Sequence, residues 1–363
     1  MSKFGLPMST SKMSGNRASI IIVTYNGASY LEQYFSAVLQ DMGLHDEVIV
    51  VDNASTDQSG DLIRRRWPNV RLMLNEANLG FAVACNQGAS RATGQYLVFL
   101  NQDTQVLPGW LDGLLDALGD RSVGLSTSKL LLMSQPDRIQ TCGRDLHYAG
   151  LNCGHGTLGA VADFSRPEAV GAVDGASFAV RREVWTKLGG FAPEFFMYFE
   201  DTDLSWRVQL AGYACVYVPT SVAYHDVSLR PSAAALYYIS RNRYILLLKH
   251  WRWPTLLLLG PGILLAEIAS WGESIQQGRP AIRARWRAYW WLLTNLREVL
   301  EMRQNNQSQR QVPDWVILGN RSWTLASFFL TGGVVGQVLT RLANVLLFAN
   351  AWLAVRICRL MKW

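Results

Sequence analysis

The stretch FEDTDLSWR, residues 199–207, sets Glu200, Asp201 and Asp203 within four positions and places Arg207 just behind them. A carboxylate can take a proton in general base catalysis. The strongly apolar and aromatic run in front, APEFFMYF, would raise the proton affinity of a carboxylate held against it, as a base requires. Acids in the first turn of a helix also complement the positive end of its dipole, and Asp203–Gly212 reads as a helix, so helix electrostatics is the competing account. Polar residues collect at three further places: Thr24, Tyr25 and Asn26; Asp52, Asn53, Ser55 and Asp57; and Asn101, Gln102 and Asp103. Such residues hydrogen-bond a ligand's hydroxyls and N–H groups, but they also cap helices and close turns. Their recurrence after three separate apolar runs is what points to a shared crevice.

The elements that would bring them together alternate. SIIIVTY reads as a strand ended by Asn26-Gly27, and YLEQYFSAVLQ follows as an amphipathic helix. EVIVVDNAS and DLIRRRW repeat the pattern. VRLMLN is a third strand, GFAVACNQGAS a small-residue helix, QYLVFLNQD a fourth strand, and LPGWLDGLLDALGD a helix opened by Pro108 and closed by Gly119. This order predicts an α/β fold, a mostly parallel sheet flanked by helices, with ligands at the carboxyl ends of the strands. No GxGxxG follows the first strand and no GxxxxGK[ST] occurs, which excludes the dinucleotide and Walker-type phosphate cradles.

The chain has 363 residues, of which 49% are apolar, enough for one large α/β domain and a smaller part. Its formal charge of +6 is unevenly spread: residues 241–363 carry 16 Lys and Arg against 5 Asp and Glu, and the rest 18 against 23. Ten of the 14 tryptophans also lie after residue 240. A basic, Trp- and Leu-rich segment suits the headgroups of an anionic membrane better than a duplex groove, so no nucleic acid is expected as a partner. The five cysteines form no CxxC pair and are odd in number, which fits a reducing compartment rather than a disulfide framework or a zinc site. The polar opening MSKFGLPMSTSKMSGNR has no secretory apolar run and reads as a disordered tail on a cytoplasmic protein. The expected division is a tail over 1–17, an α/β domain over 18–240, and a helical, basic, membrane-associated region over 241–363.

Seven blocks in order, VTYN, VVDNASTD, NLGFAVACNQG, YLVFLNQDT, VDGASFAVRREVW, FEDTDLSWRVQLAGY and AYHD, resemble the family 2 glycosyltransferases of GT-A fold, in particular their rhamnosyltransferase-like members. The resemblance covers Ser19 to Asp226. It implies that Thr24, Tyr25 and Asp52 hold the base and ribose of a nucleotide-sugar donor, with Asn78, Gly80 and Asn86 beside it. Packing of a tight turn and small residues on the sheet is an equal account of Asn86. Asn101-Gln102-Asp103 stands where the family has its DxD motif. The first acid is replaced by Asn, which leaves Asp103 as the carboxylate ligand of a divalent cation, Mn2+ or Mg2+, and His225 as a second ligand seen in some relatives. Manganese tolerates an imidazole better than magnesium does. Asp174, Gly175 and Ala176 resemble the block under the sugar and acceptor. Asp201 would be the general base of an inverting transfer and Glu200 would orient the acceptor, while Asp203 and Arg207 serve the helix as an i,i+4 pair.

The same resemblance makes dTDP-rhamnose the leading donor, with a UDP-sugar as the alternative, and a lipid-linked saccharide the acceptor, at the cytoplasmic face of the cell membrane. The alternatives are a processive polysaccharide synthase, whose QxxRW pattern is missing, and a non-catalytic membrane scaffold. Ser134–Val170, Gly-spaced and without a period, reads as an acceptor-facing loop, with His147 and His155 as contact candidates. WPTLLLLGPGILLAEIASW is interrupted by Gly-Pro-Gly, and Arg283, Arg285 and Arg287 followed by Tyr289, Trp290 and Trp291 suggest an interfacial helix. A transmembrane hairpin across 322–355, and a helical domain packing on the catalytic one or on a second copy in a homo-oligomer, are the other readings. A cut near His250 is expected to leave a soluble transferase domain.

Overall fold

The computed structural model describes residues 17–227, 232–325 and 333–363; the expected N-terminal tail, Arg17 apart, lies outside them. The predicted alternation opens the chain as β1 (Ala18–Thr24), α1 (Ala28–Asp41), β2 (Asp46–Asp52), α2 (Ser59–Arg66), β3 (Arg71–Leu74), α3 (Phe81–Arg91) and β4 (Tyr96–Asn101). Every residue of β1 is buried, as a parallel strand covered on both faces demands. Then come β5 (Thr104–Val106), α4 (Trp110–Ala117), β6 (Val123–Leu132), β7 (Gln135–Thr141), β8 (Arg144–Leu146), β9 (Asn152–Gly154), β10 (Glu168–Ala169), β11 (Ser177–Arg181), α5 (Arg182–Leu188), α6 (Glu200–Leu210) and β12 (Ala214–His225).

Ten of these strands form one mixed sheet, ordered β10-β12-β6-β11-β4-β1-β2-β3, with β5 on β12 and β7 on β6. The ladders β1–β2, β1–β4, β2–β3 and β6–β12 are parallel, and β11 lies antiparallel between β4 and β6. The register aligns the three polar strand ends: Thr24 faces Asp52, and Val23 faces Asn101. Apolar cores lie on both faces of the sheet, one under α3, α5 and α6 and the other under α1, α2 and α4.

Two expectations change here. The helix after FMYF begins at Glu200, three residues before the expected start, so all three acids sit in its first turn. The Ser134–Val170 segment is not one irregular loop: it contributes β7, β10 and the separate β8–β9 hairpin. Its His147 is buried, and His155 bridges Asp145 and Glu168 at 3.0 Å each.

The remaining helices are α7 (Ala233–His250), α8 (Trp253–Gln277), α9 (Arg279–Thr294), α10 (Leu296–Ser308), α11 (Asp314–Gly319) and α12 (Gly333–Leu360). A third core joins Leu259 and Ala266 of α8 and Leu347 and Ala351 of α12 to Leu146, Tyr148, Phe195 and Trp206 of the preceding region. The expected boundary at 240/241 therefore falls inside α7. Gly-Pro-Gly does not break α8, which runs straight through it; the missing Cβ of Gly262 lets the helix close on the Tyr148 hydroxyl. No hairpin turns within the described part of 322–355, because α12 is one continuous helix from residue 333 onward. The arginine triplet is also divided. Arg285 is buried, bonding Glu267 at 2.9 Å and Ser274 at 3.0 Å, whereas Arg283 and Arg287 are exposed.

Candidate active site

At the ends of β1, β2 and β4 the polar residues form a connected lining. Gln102 Oε1 accepts from the Thr24 hydroxyl at 2.7 Å and from the Tyr25 N–H at 3.1 Å, and this pins the turn after β4 to the end of β1. Asp52 Oδ1 accepts the Ser55 N–H at 2.8 Å, which folds the polar turn back over its own strand. Thr24 and Asp52 are buried, while Tyr25 is 46% exposed, so the tyrosine ring is the broad surface offered to a ligand. Asn78 Oδ1 accepts from Asn53 Nδ2 and from the Gly80 N–H, both at 2.9 Å. Gly80 itself sits at φ +84°, where a Cβ would meet Phe196. The amide of Asn86 is taken up elsewhere. It donates to the Phe191 carbonyl at 2.8 Å and accepts the Phe191 N–H at 2.9 Å, so it clamps the sheet's helix layer instead of presenting a free amide at the crevice.

The antiparallel β5–β12 ladder pairs Thr104 with His225 and so brings Asp103 beside the imidazole. His225 Nδ1 lies 2.9 Å from Gln140 Oε1, and the tautomer consistent with that contact donates through Nδ1 and leaves a lone pair on Nε2. Nε2 stands 3.2 Å from Asp103 Oδ1, a buried oxygen with no hydrogen-bond partner. Two acceptors facing each other at that separation are a donor set that fits a divalent cation. Among the described residues no cluster of three or more such ligands occurs, so water and substrate phosphates would complete the shell.

Across the crevice, the VDGAS segment joins β4 to α6. The Asn101 N–H donates to the Ala176 carbonyl at 2.9 Å, and the Gly175 N–H donates to Asp201 Oδ2 at 2.8 Å. A Cβ on Gly175 would lie 3.3 Å from that carboxylate, so glycine permits the approach. Asp174 accepts the Ala176 N–H at 2.9 Å and pairs with Arg144 at 2.5 Å. The other oxygen of Asp201 accepts the Thr202 N–H at 2.6 Å and the Thr202 hydroxyl at 3.0 Å, and Asn152 Nδ2 supports that hydroxyl at 2.6 Å. Glu200 is equally buried, but its Oε2 has no partner.

These surroundings separate the two acids. Burial, then the neighbouring Asp201 charge, pushes the Glu200 carboxyl well above the usual range. Burial also raises Asp201, but Arg144 opposes the rise, and both Asp201 oxygens accept hydrogen bonds that favour the charged form, whereas Glu200 Oε2 accepts none. Asp203 belongs to another system: burial opposes its charge, yet Lys249, Arg207 and His250 hold it well below the usual range. Arg207 Nε bonds it at 2.8 Å, as the i,i+4 spacing anticipates. Arg144 and Asn152 carry no signal in the sequence, because no local pattern marks residues that reach the acids from a hairpin about 50 positions away.

Residues 19–130 match the family described as Glycosyl transferase family 2, and residues 96–358, more than half the chain, match Glycosyl transferase family group 2. The N-acetylglucosaminyl-diphospho-decaprenol L-rhamnosyltransferase of Mycobacterium tuberculosis is 29% identical over 235 residues, 57% of this chain and 75% of that protein. A putative teichuronic acid biosynthesis glycosyltransferase of Bacillus subtilis is 32% identical over 120 residues, 32% of this chain and 48% of that one. Among solved structures, residues 1–349 of S. aureus TarS align with TM-score 0.53 at 14% identity, covering 96% of this chain and 92% of that one. GalNAc-T7 with UDP, GalNAc and Mn2+ aligns with TM-score 0.53 at 20% identity, covering 64% and 48%.

Proposed function

The chain belongs to the family 2 glycosyltransferases of GT-A fold, and from that premise we propose that it is an inverting, metal-assisted transferase acting on a lipid-linked saccharide in cell-surface polysaccharide biosynthesis. The observation that carries this reading is the buried Glu200–Asp201 pair, set against Arg144 and Asp174 and joined through Gly175 and Ala176 to the strand end that bears Asp103. Tyr25 and Asp52 would receive the nucleoside of the donor at the ends of β1 and β2, and Asn78 and Gly80 shape the adjoining wall.

In the transfer, an acceptor hydroxyl approaches Asp201, whose ionised carboxylate accepts its proton. The oxygen attacks the anomeric carbon from the face opposite the nucleoside diphosphate, the bond to that diphosphate breaks, and the anomeric configuration inverts. Glu200, protonated by its surroundings, donates a hydrogen bond that orients the acceptor. Asp103 and His225 would hold a divalent cation, which when bound neutralises charge on the departing diphosphate.

The relative named as a rhamnosyltransferase acting on N-acetylglucosaminyl-diphospho-decaprenol supports rhamnose as the sugar and a prenyl diphosphate saccharide as the acceptor. The outward apolar faces of α8 and α12 support attachment to the membrane that carries such an acceptor. The purified protein, incubated with a panel of dTDP-, UDP- and GDP-sugars and a prenyl-diphosphate N-acetylglucosamine, should transfer from dTDP-rhamnose with inversion at the anomeric carbon. Transfer from a UDP-sugar alone would overturn the rhamnose assignment, and a retained anomeric configuration would overturn the mechanism.

A further inference from the structure

The backbone leading into the catalytic pair is strained. Phe196 has φ +62° and ψ −64°, the positive-φ γ-turn, closed by a bond of 2.7 Å from the Met197 N–H to the Phe195 carbonyl. Tyr198 at φ +63° and Phe199 at φ +71° follow, so three of the four residues before Glu200 occupy a region that side-chain-bearing residues seldom adopt. Each such residue is unfavourable and persists only where its surroundings over-determine it.

The surroundings that hold this strap come from α7. Asn242, fully buried, directs its Nδ2 at three strap carbonyls: Phe195 at 3.0 Å, Met197 at 2.9 Å and Tyr198 at 2.6 Å. Arg241 Nη2 takes the Glu194 and Phe195 carbonyls at 2.6 and 2.9 Å, and its Nε donates to Asn242 Oδ1 at 2.8 Å, fixing which way the amide faces. Tyr238, one turn earlier, stacks on the Phe196 ring at 5.1 Å and 12°. On the far side, the Phe196 carbonyl accepts the Ala82 N–H at 3.1 Å, which ties the strap to the start of α3 beside the donor crevice.

We propose that Asn242 is a positioning residue for the transfer: its amide locks the strained 195–199 strap and thereby sets Glu200 and Asp201 against the acceptor. No other hydrogen-bonding side chain among those described reaches all three carbonyls, and removing the amide takes that donor from the Met197 and Tyr198 carbonyls and leaves Phe195 to Arg241 and the γ-turn alone, so the strap relaxes. The helical C-terminal region is on this account part of the catalytic apparatus, not only an attachment device. The inference rests on the reading of Glu200 and Asp201 as the catalytic pair.

The test uses the full-length protein with a water-soluble short-prenyl acceptor. Asn242→Ala and the near-isosteric Asn242→Asp should lower kcat by about 10- to 100-fold, the scale of an ångström-sized misplacement, and leave donor affinity by calorimetry within about twofold. In Asn242→Ala, which adds no charge, the acid limb of the kcat–pH profile should move to lower pH, because a relaxed strap lets water reach acids whose proton affinity burial has raised. Asn350→Ala supplies the control for stability: that amide bonds the Leu258 carbonyl between α8 and α12 and none of the strap carbonyls, and its loss should lower Tm but not kcat. If the Asn242 variants do not fold, Tyr238→Leu, which removes the stack on Phe196, is measured for the same kcat and pH effects. Unchanged kcat and pH limb in a folded Asn242 or Tyr238 variant would overturn the proposal. Full activity in Asp201→Asn would instead overturn the assignment of the catalytic pair, a separate outcome from the same series.

Discussion

Asp201 and Glu200 are neighbours in sequence with separate electrostatic settings: Asp201 has both oxygens hydrogen-bonded and Arg144 close by, and Glu200 has a buried oxygen with no partner. Asp201→Asn keeps the shape and removes the base, so turnover should fall by about 10²-fold or more with donor binding nearly intact. Equal losses of donor affinity and turnover, measured by calorimetry and initial rates, would mark a structural acid. The pH dependence has a definite sign. As the proposed base Asp201 would act ionised, and its proton affinity is raised, so kcat should be full at higher pH and fall as pH drops through a value above the ordinary carboxylate pKa of about 4. Asp103→Ala should abolish the cation dependence of donor binding in titration calorimetry, and His225→Ala should weaken it less; a wild-type protein indifferent to chelator would remove the site. The acids, Asp103 and His225 were legible because each sits in a contiguous block. Arg144 and Asn152 were not, since β8 and β9 carry no local sign of the carboxylates they face, and the double grip of Asn86 on Phe191 depends on a contact 105 positions away.

At the scale of elements, α6 is held as firmly at its middle as at its start. Asp203 gathers Arg207 from its own helix at 2.8 Å, and Lys249 and His250 from α7 at 2.6 and 2.8 Å, while Trp206 stacks on His250 at 4.7 Å. The i,i+4 pair could be read from the sequence. The partners on α7 could not, because nothing in a basic helix end announces a buried counter-charge. Asp203→Asn leaves Lys249 and Arg207 buried without it, and chemical denaturation should show a loss of about 3–5 kcal/mol. In the wild type the folded-state proton affinity of Asp203 is depressed, so its contribution is complete above the unfolded carboxylate value and is lost as pH falls through the lower, folded one. Denaturation midpoints that do not drop more steeply with acid in the wild type than in Asp203→Asn would contradict this. The strand–helix alternation of the first half was legible for a related reason: buried parallel strands are continuous β-branched runs. The β11 insertion was not, because an antiparallel strand in the middle of a parallel sheet has the same composition as its neighbours.

For the whole molecule, the basic C-terminal region packs into the rest of the protein: Arg241, Arg243, Lys249, Arg285, Arg303 and Arg321 are all buried, so the charge asymmetry does not mark a detachable domain. A cut after His250 would remove Arg303, which bonds the Leu248 carbonyl, and Asn306, which bonds the Lys249 carbonyl at 3.1 Å, and would uncover Trp206 and Phe195, so it should yield an aggregating fragment in place of the soluble domain the sequence suggested. The helices removed are long and apolar, yet only 33% of the most apolar window of α8 and 28% of that of α12 is buried. Trp253, Leu257, Leu264, Ile268 and Ile275 line the outer face of α8, and Leu342, Leu346 and Leu353 that of α12. Exposed apolar surface on this scale marks an interaction face. The inner faces are committed to the protein along most of their length: Leu259 and Ala266 of α8, and Leu347 and Ala354 of α12, lie in the core with Tyr148 and Trp206. A helix held in that way cannot thread a bilayer without abandoning the core, which favours lying in the interface over spanning it. Arg283, Trp286, Arg287 and Trp290 share one exposed face of α9 and would provide the headgroup contacts in that arrangement. The protein should therefore sediment with anionic vesicles and be weakened by salt, and each of Arg283→Glu and Arg287→Glu should cost at least the roughly 1 kcal/mol of one basic residue near the surface. Arg285→Ala should act differently, lowering Tm through its lost bonds to Glu267 and Ser274. Release from membranes by high salt or alkaline washing would agree with interfacial attachment, and retention after both would show that α8 or α12 leaves the core to enter the bilayer.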